Sequence, residues 1–368
     1  MTKPKEVIVY GKEYFAWPYE EQTKIKHKVI SYYMTIWLSK LGKYNDTFFM
    51  DCHGGCGAYI DLSTNTVGYG SSIIVDKIAT EINANRSHKN YICVCENNKK
   101  NYENLLKVWE DQSCSNLCRI RLDNFNNVIK EKRINNYYST HPSLFLIDPF
   151  GYDLVMENMK NLMNHKGSEI IINFMYDHLN RFLSVANLDA QRDDFFGSHE
   201  WINAIGLSGR ERENYLVELY KRKLKETTKA KFVFAYRLCF PDRNQTYYYL
   251  IHATNDIQGI VYMKNSFAGV NNGRLEYLGK YQNALTLFDL DNYKNEDIAR
   301  NVLKKYTGKT IQFINLLEEI IEDIPFLEKD LSDAISMLEK EKKVNVRRVS
   351  SKRGRYRDKD QITFGEII

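Results

Sequence analysis

Short apolar runs alternate with helical stretches between residues 47 and 174, and this alternation constrains the fold more than any other feature of the sequence. The runs predict strands at residues 47–50, 90–95, 118–122, 144–147 and 169–174. The stretches between them carry apolar residues at helical spacing. Strands separated by helices in this way form a mostly parallel, doubly wound sheet. The sequence therefore predicts an α/β protein with a Rossmann-like fold.

The remaining elements predict how the chain is divided. An amphipathic helix over 20–41 predicts a helical extension at residues 1–45, and the Rossmann-like domain is expected at 46–290. Helical periodicity over about 179–229 predicts an insertion that covers the sheet. Three later strands are expected, at 232–240, 246–253 and 259–264. From residue 295 three helical stretches precede two alternating strands with a basic loop between them, and this pattern predicts a winged helix-turn-helix-like domain at 295–368.

Positive charge is concentrated near the C-terminal end of the sequence. The net charge of the chain is +5, yet residues 340–359 hold ten Lys or Arg and two Asp or Glu, a net charge of +8. A basic patch on a winged domain is typical of a nucleic-acid contact, although a solvated basic tail would have the same composition. The residues expected to contact DNA or RNA are Arg347, Arg348, Lys352, Arg353, Arg355 and Arg357.

Composition argues against several classes of protein. Hydrophobic residues make up 43% and charged residues 27% of the chain, as in ordinary globular proteins. No apolar stretch approaches the roughly 18 residues of a membrane span, and the first residues contain no signal-peptide core, so we expect a cytoplasmic protein without a membrane partner. The 7 cysteines are then expected to be reduced thiols. Their spacings lack the paired knuckles of a zinc site, and no metal is expected.

Polar residues follow three successive predicted strands, at the edge of the sheet where α/β proteins bind ligands. The loop after the first strand reads D-x-H-x-G-x-G, and its glycines let the backbone pass close to a ligand. An acid after the second strand can accept hydrogen bonds from ribose hydroxyls, and an Asp-Asn pair after the third can bind an adenine amino group. Each could singly be a helix-starting residue. Together they predict a site for S-adenosylmethionine (SAM), formed by Asp51, His53, Gly55, Gly57, Glu96, Asp123 and Asn124.

The fourth predicted strand ends in Asp148-Pro149-Phe150-Gly151. Proline removes a backbone donor, which can leave carbonyl groups free to accept hydrogen bonds from a substrate amine. A neighbouring phenylalanine can stack on a flat base. Asp148, Pro149 and Phe150 are therefore the candidate catalytic residues, while the alternative is a plain strand-terminating turn.

These motifs, in their order and spacing, resemble the three-Cys-motif partner proteins, a bacterial and phage-associated family. The matching residues are Lys24, Lys26, Trp37, the loop 51–57, residues 70–74, Glu96, residues 147–151 and 169–174, Asn180, Arg181, residues 249–254, Gly259 and Met263. The resemblance implies a SAM-methyltransferase type of Rossmann fold and a radical-SAM-like partner protein with a three-cysteine motif. It also implies a setting in phage defence or in a mobile element.

The first loop departs from that family's usual Asp-x-Phe-Ala-Gly-Pro-Gly. His53 replaces Phe, Gly54 replaces Ala and Cys56 replaces Pro, while Gly55 and Gly57 are retained. Cofactor binding is therefore still expected.

Two classes of function follow from these observations. The first is a SAM-dependent methyltransferase that acts on an exocyclic base amine of nucleic acid, together with the three-Cys-motif partner. The second is a non-catalytic scaffold or sensor for that partner, which binds SAM or nucleic acid. Redox chemistry with a nicotinamide cofactor is disfavoured because the loop departs from G-x-G-x-x-G. The substrate, the methylated atom and the choice between DNA and RNA are left open.

Overall fold

The computed structural model describes residues 4–9, 11–84, 87–114, 118–149, 151–279, 295–322, 326–349 and 356–365. The chain divides into two compact units, residues 1–282 and 283–368.

The first unit is built from strands and helices that alternate along most of its length. Its strands are β1 (Lys5–Val9), β2 (Lys12–Pro18), β3 (Thr47–Asp51), β4 (Ala58–Asp61), β5 (Thr66–Tyr69), β6 (Asn90–Glu96), β7 (Cys118–Leu122), β8 (Ser143–Ile147), β9 (Glu169–Phe174), β10 (Phe232–Cys239), β11 (Thr246–Thr254) and β12 (Glu276–Tyr277). Its α-helices are α1 (Glu21–Leu41), α2 (Ser71–Asn83), α3 (Lys99–Asp111), α4 (Phe125–Val128), α5 (Lys132–Thr140), α6 (Tyr176–Phe182), α7 (Asp189–Phe196), α8 (Gly209–Thr228) and α9 (Ile257–Val270). Short 3-10 helices lie at Met156–Met159 and His199–Ala204.

Eight strands form the central sheet, in the order β12-β10-β11-β9-β8-β3-β6-β7. The neighbours from β9 to β7 pair in parallel, whereas β11 is antiparallel to both β9 and β10. Every residue of β3, β8 and β9 is buried, as expected of central parallel strands that are covered on both faces. The predicted doubly wound, mostly parallel sheet is confirmed, and its carboxyl edge brings the ends of β3, β6, β7 and β8 together.

A second, four-stranded sheet was not expected from the sequence. Its order is β1-β2-β4-β5, and the parallel pair joins Trp17 of β2 to Tyr59 of β4. Residues 1–45, predicted as a helical extension, therefore contain two strands before α1 and belong to the first unit. The side-chain amide of Asn104 fastens this sheet to α3, since it pairs with both the N–H and the carbonyl of Phe15 and donates to the carbonyl of Cys56 at 2.6 Å.

One predicted strand is a helix in the structure. Residues 259–264, expected as a strand, lie inside α9, which begins where the Asp256 side chain accepts a hydrogen bond from the Gln258 N–H. Short apolar runs of this kind fit a buried helix as well as a strand, and here the helix is buried on most of its surface. Residues 179–229 contain the end of α6, then α7, the 3-10 turn at His199–Ala204 and α8.

The second unit has the architecture of a winged helix. It contains α10 (Asn295–Tyr306), β13 (Thr310–Gln312), α11 (Phe313–Ile320), α12 (Glu328–Lys340), β14 (Val344–Arg347) and β15 (Gln361–Phe364). Its strands form an antiparallel sheet in the order β13-β15-β14. Its core is formed by apolar residues of the three helices and of β15, including Val302, Leu316, Leu331, Ile335 and Ile362. The predicted winged helix-turn-helix is confirmed, with one addition, because residues 310–312 form a strand where only helix was expected.

Candidate cofactor and acceptor site

Two cavities open at the carboxyl edge of the central sheet. The larger has a volume of about 330 Å³ and is bordered by residues from β2, α1, the loop after β3, β8, β9 and the β10–β11 turn. The smaller has a volume of about 240 Å³ and lies among the ends of β3, β6 and β7. His53 lines both cavities, so a ligand that occupied both would pass this side chain.

The smaller cavity holds three of the residues predicted to bind the adenosine part of a cofactor, which are Glu96, Asp123 and Asn124. Glu96 is buried, and one of its carboxylate oxygens accepts the Asn98 N–H at 2.7 Å. Asn98, not Glu96, caps α3 with its side chain, so Glu96 is not needed to start that helix. The second Glu96 oxygen takes no part in this bond and can accept from a ligand hydroxyl.

Asp123 and Asn124 are partly engaged with their own loop. Oδ1 of Asp123 accepts from the Asn124 N–H at 2.7 Å and from the Asn127 side-chain amide at 3.0 Å. These hydrogen bonds lower the pKa of Asp123. Asn124 caps α4 through its side-chain oxygen, as the simpler interpretation of this residue predicts. Its side-chain NH₂ group takes no part in that bond and can donate to a ligand.

The glycine-rich loop contributes backbone shape. Gly55 and Gly57 have φ of +63° and +76°, a region that favours glycine. A Cβ on Gly57 would stand 2.6 Å from Cδ1 of Leu105, whereas one on Gly55 would meet nothing within 4 Å. Gly55 borders the larger cavity, while Gly57 lies behind it against α3.

Asp51 supports this loop from below, and it lines neither cavity. Its carboxylate accepts from the Ser71 hydroxyl at 2.6 Å and from the His53 N–H at 3.3 Å, which ties the loop to the start of α2. Burial raises the pKa of Asp51 to about 6 despite these two hydrogen bonds. The structure therefore places Asp51 in a supporting position, where it holds the His53 backbone.

Asp148 lies at the end of β8 in the wall of the larger cavity. Its Oδ2 is 2.6 Å from the Lys26 ammonium of α1, and its Oδ1 accepts from the Asn173 side-chain amide, also at 2.6 Å. Burial raises the pKa of Asp148, but the Lys26 charge and the hydrogen bonds from Lys26 and Asn173 outweigh it, and the pKa lies below its usual range. Asp148 is thus held ionised, and 31% of its side chain is exposed towards the cavity.

Two neighbours of Asp148 also bear on the chemistry of the site. They are Asn173, which has an oxygen available for a hydrogen bond, and His53, whose ring is neutral. Oδ1 of Asn173 is buried, and no described residue donates to it. Nδ1 of His53 accepts the Asp148 N–H at 3.2 Å, and burial lowers the pKa of His53, which keeps the ring neutral at pH 7. Pro149 also lines the cavity, and Phe150 lies outside the described residues.

Aromatic side chains make up much of the remaining wall of the larger cavity. They come from the small sheet (Trp17, Tyr59) and from the β10–β11 hairpin (Phe240, Tyr247, Tyr248). Two arginines, Arg181 and Arg243, stand at the same cavity. None of these seven residues was predicted as part of the site, and neither were Lys26 and Asn173.

The position of Lys26 in the sequence could have indicated its role. It lies four residues before Ile30 and seven before Tyr33, so it falls on the buried stripe of α1, where a charge is unusual. A lysine on an apolar stripe needs a buried partner, and here the partner is Asp148, 122 positions away.

The basic residues of the winged unit divide into two kinds. Arg348 forms two hydrogen bonds of 2.6 Å with the Glu339 carboxylate, which also accepts from the Tyr356 hydroxyl at 2.8 Å. Arg348 therefore holds the sheet to α12. Arg347 and Arg357 are exposed to solvent. Lys352, Arg353 and Arg355 lie outside the described residues.

The described ranges contain no candidate metal centre and no membrane-spanning helix. No group of three or more His, Cys, Asp or Glu side chains there is arranged to hold a metal ion. None of the helices in those ranges combines the length and the apolar character that crossing a membrane requires.

A known family model matches part of the sequence. The family model described as the GMT-like wHTH domain matches residues 275–351. The chain is thus similar to a winged helix-turn-helix over a range that overlaps the second unit. The wider resemblance to the three-Cys-motif partner proteins stays a prediction. No curated protein matches the sequence.

Solved structures with similarity to this chain include several methyltransferases, all at low identity. A Legionella pneumophila protein has 15% identity and a TM-score of 0.38, with 67% of this chain and 93% of that one covered. TYW2 of M. jannaschii, solved in complex with AdoMet, has 10% identity and a TM-score of 0.34, with 69% and 86% covered. An rRNA methylase from Streptococcus thermophilus has 8% identity and a TM-score of 0.31, with 60% and 92% covered.

Proposed function

We propose that the protein binds SAM and transfers its methyl group to an exocyclic amine of a nucleic-acid base. The observation that carries this proposal is Asp148, an ionised carboxylate held by Lys26 and Asn173 in the wall of a cavity. A second cavity with acids suited to a nucleoside lies next to it, and the two share His53.

The residues of the smaller cavity fit the adenosine part of SAM. The buried Glu96 has an oxygen available for ribose hydroxyls, Asn124 can donate to the adenine ring, and the Phe125 side chain offers an apolar surface. The left-handed backbone at Gly55 and the absence of any atom within 4 Å of a Cβ there leave room for a ligand that continues past His53. When bound, SAM would supply an electrophilic methyl group on its sulfonium.

The residues around Asp148 fit an amine acceptor. One amine N–H can donate to the Asp148 carboxylate and the other to Oδ1 of Asn173, to which none of the described residues donates. These bonds would leave the nitrogen lone pair directed at the methyl group, and such positioning is the main requirement of a displacement reaction. A bond from nitrogen to the methyl carbon forms, the bond from sulfur to that carbon breaks, and the amine releases one proton to water.

The winged unit supports nucleic acid as the substrate. A winged helix-turn-helix is a common DNA-binding architecture, and the exposed Arg347 and Arg357 are suited to phosphate contacts. The resemblance in sequence further favours a three-Cys-motif partner and a setting in phage defence or a mobile element.

The second candidate function is a non-catalytic SAM or nucleic-acid sensor. One observation favours it, because both oxygens of Asp148 already accept short hydrogen bonds from Lys26 and Asn173. In such a sensor the larger cavity binds a ligand, and no methyl group is transferred.

The test is calorimetry of SAM and S-adenosylhomocysteine with the full chain, followed by tritiated-methyl transfer to DNA and RNA. Glu96→Ala should weaken SAM binding by about 1–3 kcal/mol, and Glu110→Ala, which changes an exposed glutamate of the neighbouring helix α3, should not. Asp148→Ala should abolish transfer and leave SAM binding within a few fold. Binding of SAM without transfer to any nucleic acid would favour the sensor, and unchanged affinity in a folded Glu96→Ala variant would reject the assigned cavity.

A further inference from the structure

We propose that the mouth of the larger cavity is a clamp for single-stranded nucleic acid, which stacks one base and binds the adjoining phosphates. The clamp consists of Phe240, Tyr247, Arg243 and Arg181, and we refer to these four residues as the acceptor rim. The inference rests on the proposed function and names the form in which the substrate is bound.

The β10–β11 hairpin supplies the stacking surface. The rings of Phe240 and Tyr247 have centroids 4.6 Å apart, and the Arg243 guanidinium lies 3.9 Å from the centre of the Phe240 ring. Both rings are half-buried, so the hairpin holds them while part of each remains accessible. A guanidinium on one ring next to a second ring is a surface on which bases stack without regard to sequence.

The two arginines supply the charge. Arg243 is half exposed, and its ion pair with the Asp242 carboxylate has a distance of 3.9 Å, at the outer limit for such a pair. Arg181 is also half exposed, and its 2.8 Å pair with Asp177 fixes its orientation at the cavity. A guanidinium has five N–H donors, so both side chains retain donors for a phosphate.

The shape of the cavity selects a single strand. Trp17, Tyr59 and Tyr248 line the same cavity of about 330 Å³ as the acceptor rim and Asp148. A base within a duplex cannot enter such a site unless it leaves the stack. An unpaired base can enter directly, and its phosphates then remain at the rim.

The experiment is a fluorescence anisotropy titration of the full chain with short single-stranded DNA and RNA, at two salt concentrations. The wing variant Arg347→Gln/Arg357→Gln serves as the background, so that contacts of the winged unit do not hide the acceptor rim. A duplex of the same length is titrated in parallel. SAM affinity is measured on every variant by calorimetry.

In this background Arg243→Gln and Arg181→Gln should each weaken single-strand binding about threefold to tenfold, and each should lower the salt slope by about 0.7. Phe240→Leu should weaken binding about fivefold and leave the salt slope unchanged. The matched control is Arg222→Gln. Arg222 lies on α8 and forms an exposed ion pair with Glu200, and its substitution should have no effect on binding.

Three results would overturn the inference. The first is that all three rim variants are folded and bind single strands within twofold of the background. The second is that single strands show no detectable binding. The third is that a duplex binds as tightly as a single strand. The proposed function fails separately. Loss of rim-dependent binding with intact SAM affinity rejects only the clamp, whereas rim-dependent binding without SAM affinity rejects only the methyltransferase.

Discussion

Replacing Lys26 by methionine tests the central contact of the site. The Lys26 side chain is 9% exposed and its ammonium lies 2.6 Å from Asp148, so the substitution removes one partner of a largely buried ion pair. Methionine fills a similar volume and fits the apolar stripe of α1. The effect should therefore come from the carboxylate that is left without its cation.

The structure sets the magnitude of this effect. Breaking a fully buried pair costs about 3–5 kcal/mol, but Asp148 keeps its bond from Asn173 and is 31% exposed. We expect Lys26→Met to lower the free energy of unfolding by about 2–3 kcal/mol at pH 8. Lys26→Met/Asp148→Asn should recover most of this loss, because no unpaired buried charge then remains.

The pH dependence follows from the direction of the pKa shift. In the native protein the pKa of Asp148 is lowered, so its contribution to stability is present above the unfolded value of about 3.9 and is lost as pH falls through the folded value. In Lys26→Met the remaining dominant influence is burial, which raises the pKa of Asp148. The cost of the ionised carboxylate then disappears when pH falls below this raised value. The difference between variant and native protein should therefore shrink by at least about 1 kcal/mol between pH 8 and pH 4.5.

Urea denaturation at pH 8 and pH 4.5 measures both quantities. The control is Lys28→Met, on the exposed side of the same helix, which should change stability by less than about 0.5 kcal/mol. A loss below about 1 kcal/mol at pH 8, or the same loss at both pH values, would refute the reasoning that Asp148 depends on Lys26 for its charge.

Two further predictions concern the glycine-rich loop and the winged unit. Gly57→Ala should destabilise the protein by about 1–3 kcal/mol, and by more than Gly55→Ala. Both residues have positive φ, but only the methyl group of an alanine at position 57 would meet Leu105. Equal denaturation midpoints of the two variants would contradict this. Arg348→Gln should lower thermal stability by about 1 kcal/mol through loss of its paired bonds to Glu339, whereas Arg347→Gln should lower only nucleic-acid affinity and its salt dependence. Scanning calorimetry and titrations on both variants separate these roles, and the reverse pattern would show that Arg348 is the phosphate contact.

Much of the central sheet could be predicted because its strands are buried on both faces and therefore read as continuous apolar runs. The small sheet could not be predicted in the same way. β2 alternates exposed and buried residues over a short length, and it pairs in parallel with β4, about forty residues away. The predicted strand at 259–264 was wrong for a related reason. These residues lie in α9, which is buried on most sides and lacks the polar face that marks a helix.

The candidate site was predictable only where its residues follow strands. Glu96 is the last residue of β6, and Asp123 and Asp148 directly follow β7 and β8, so the fold brings them to one edge. Lys26 comes from α1, and the acceptor rim comes from the β10–β11 hairpin and, for Arg181, from α6. No short motif marks these residues. Their place in the site depends on α1 and on the reversed strand β11, whose pairing partners are set by the completed sheet.

The wall of the larger cavity combines residues that are far apart in the sequence, and this separation has a consequence during synthesis. The Tyr248 hydroxyl donates to the carbonyl of Gln22, a residue 226 positions earlier, and α1 packs on α9. Helix α1 therefore leaves the ribosome long before the strand and helix that cover it are made, with its apolar stripe and Lys26 exposed to water. At translation rates of about 5–20 residues per second, this interval lasts at least ten seconds or so. The nascent chain thus presents its first helix to chaperones and proteases until β11 closes the sheet, and the cavity is among the last features of the first unit to form.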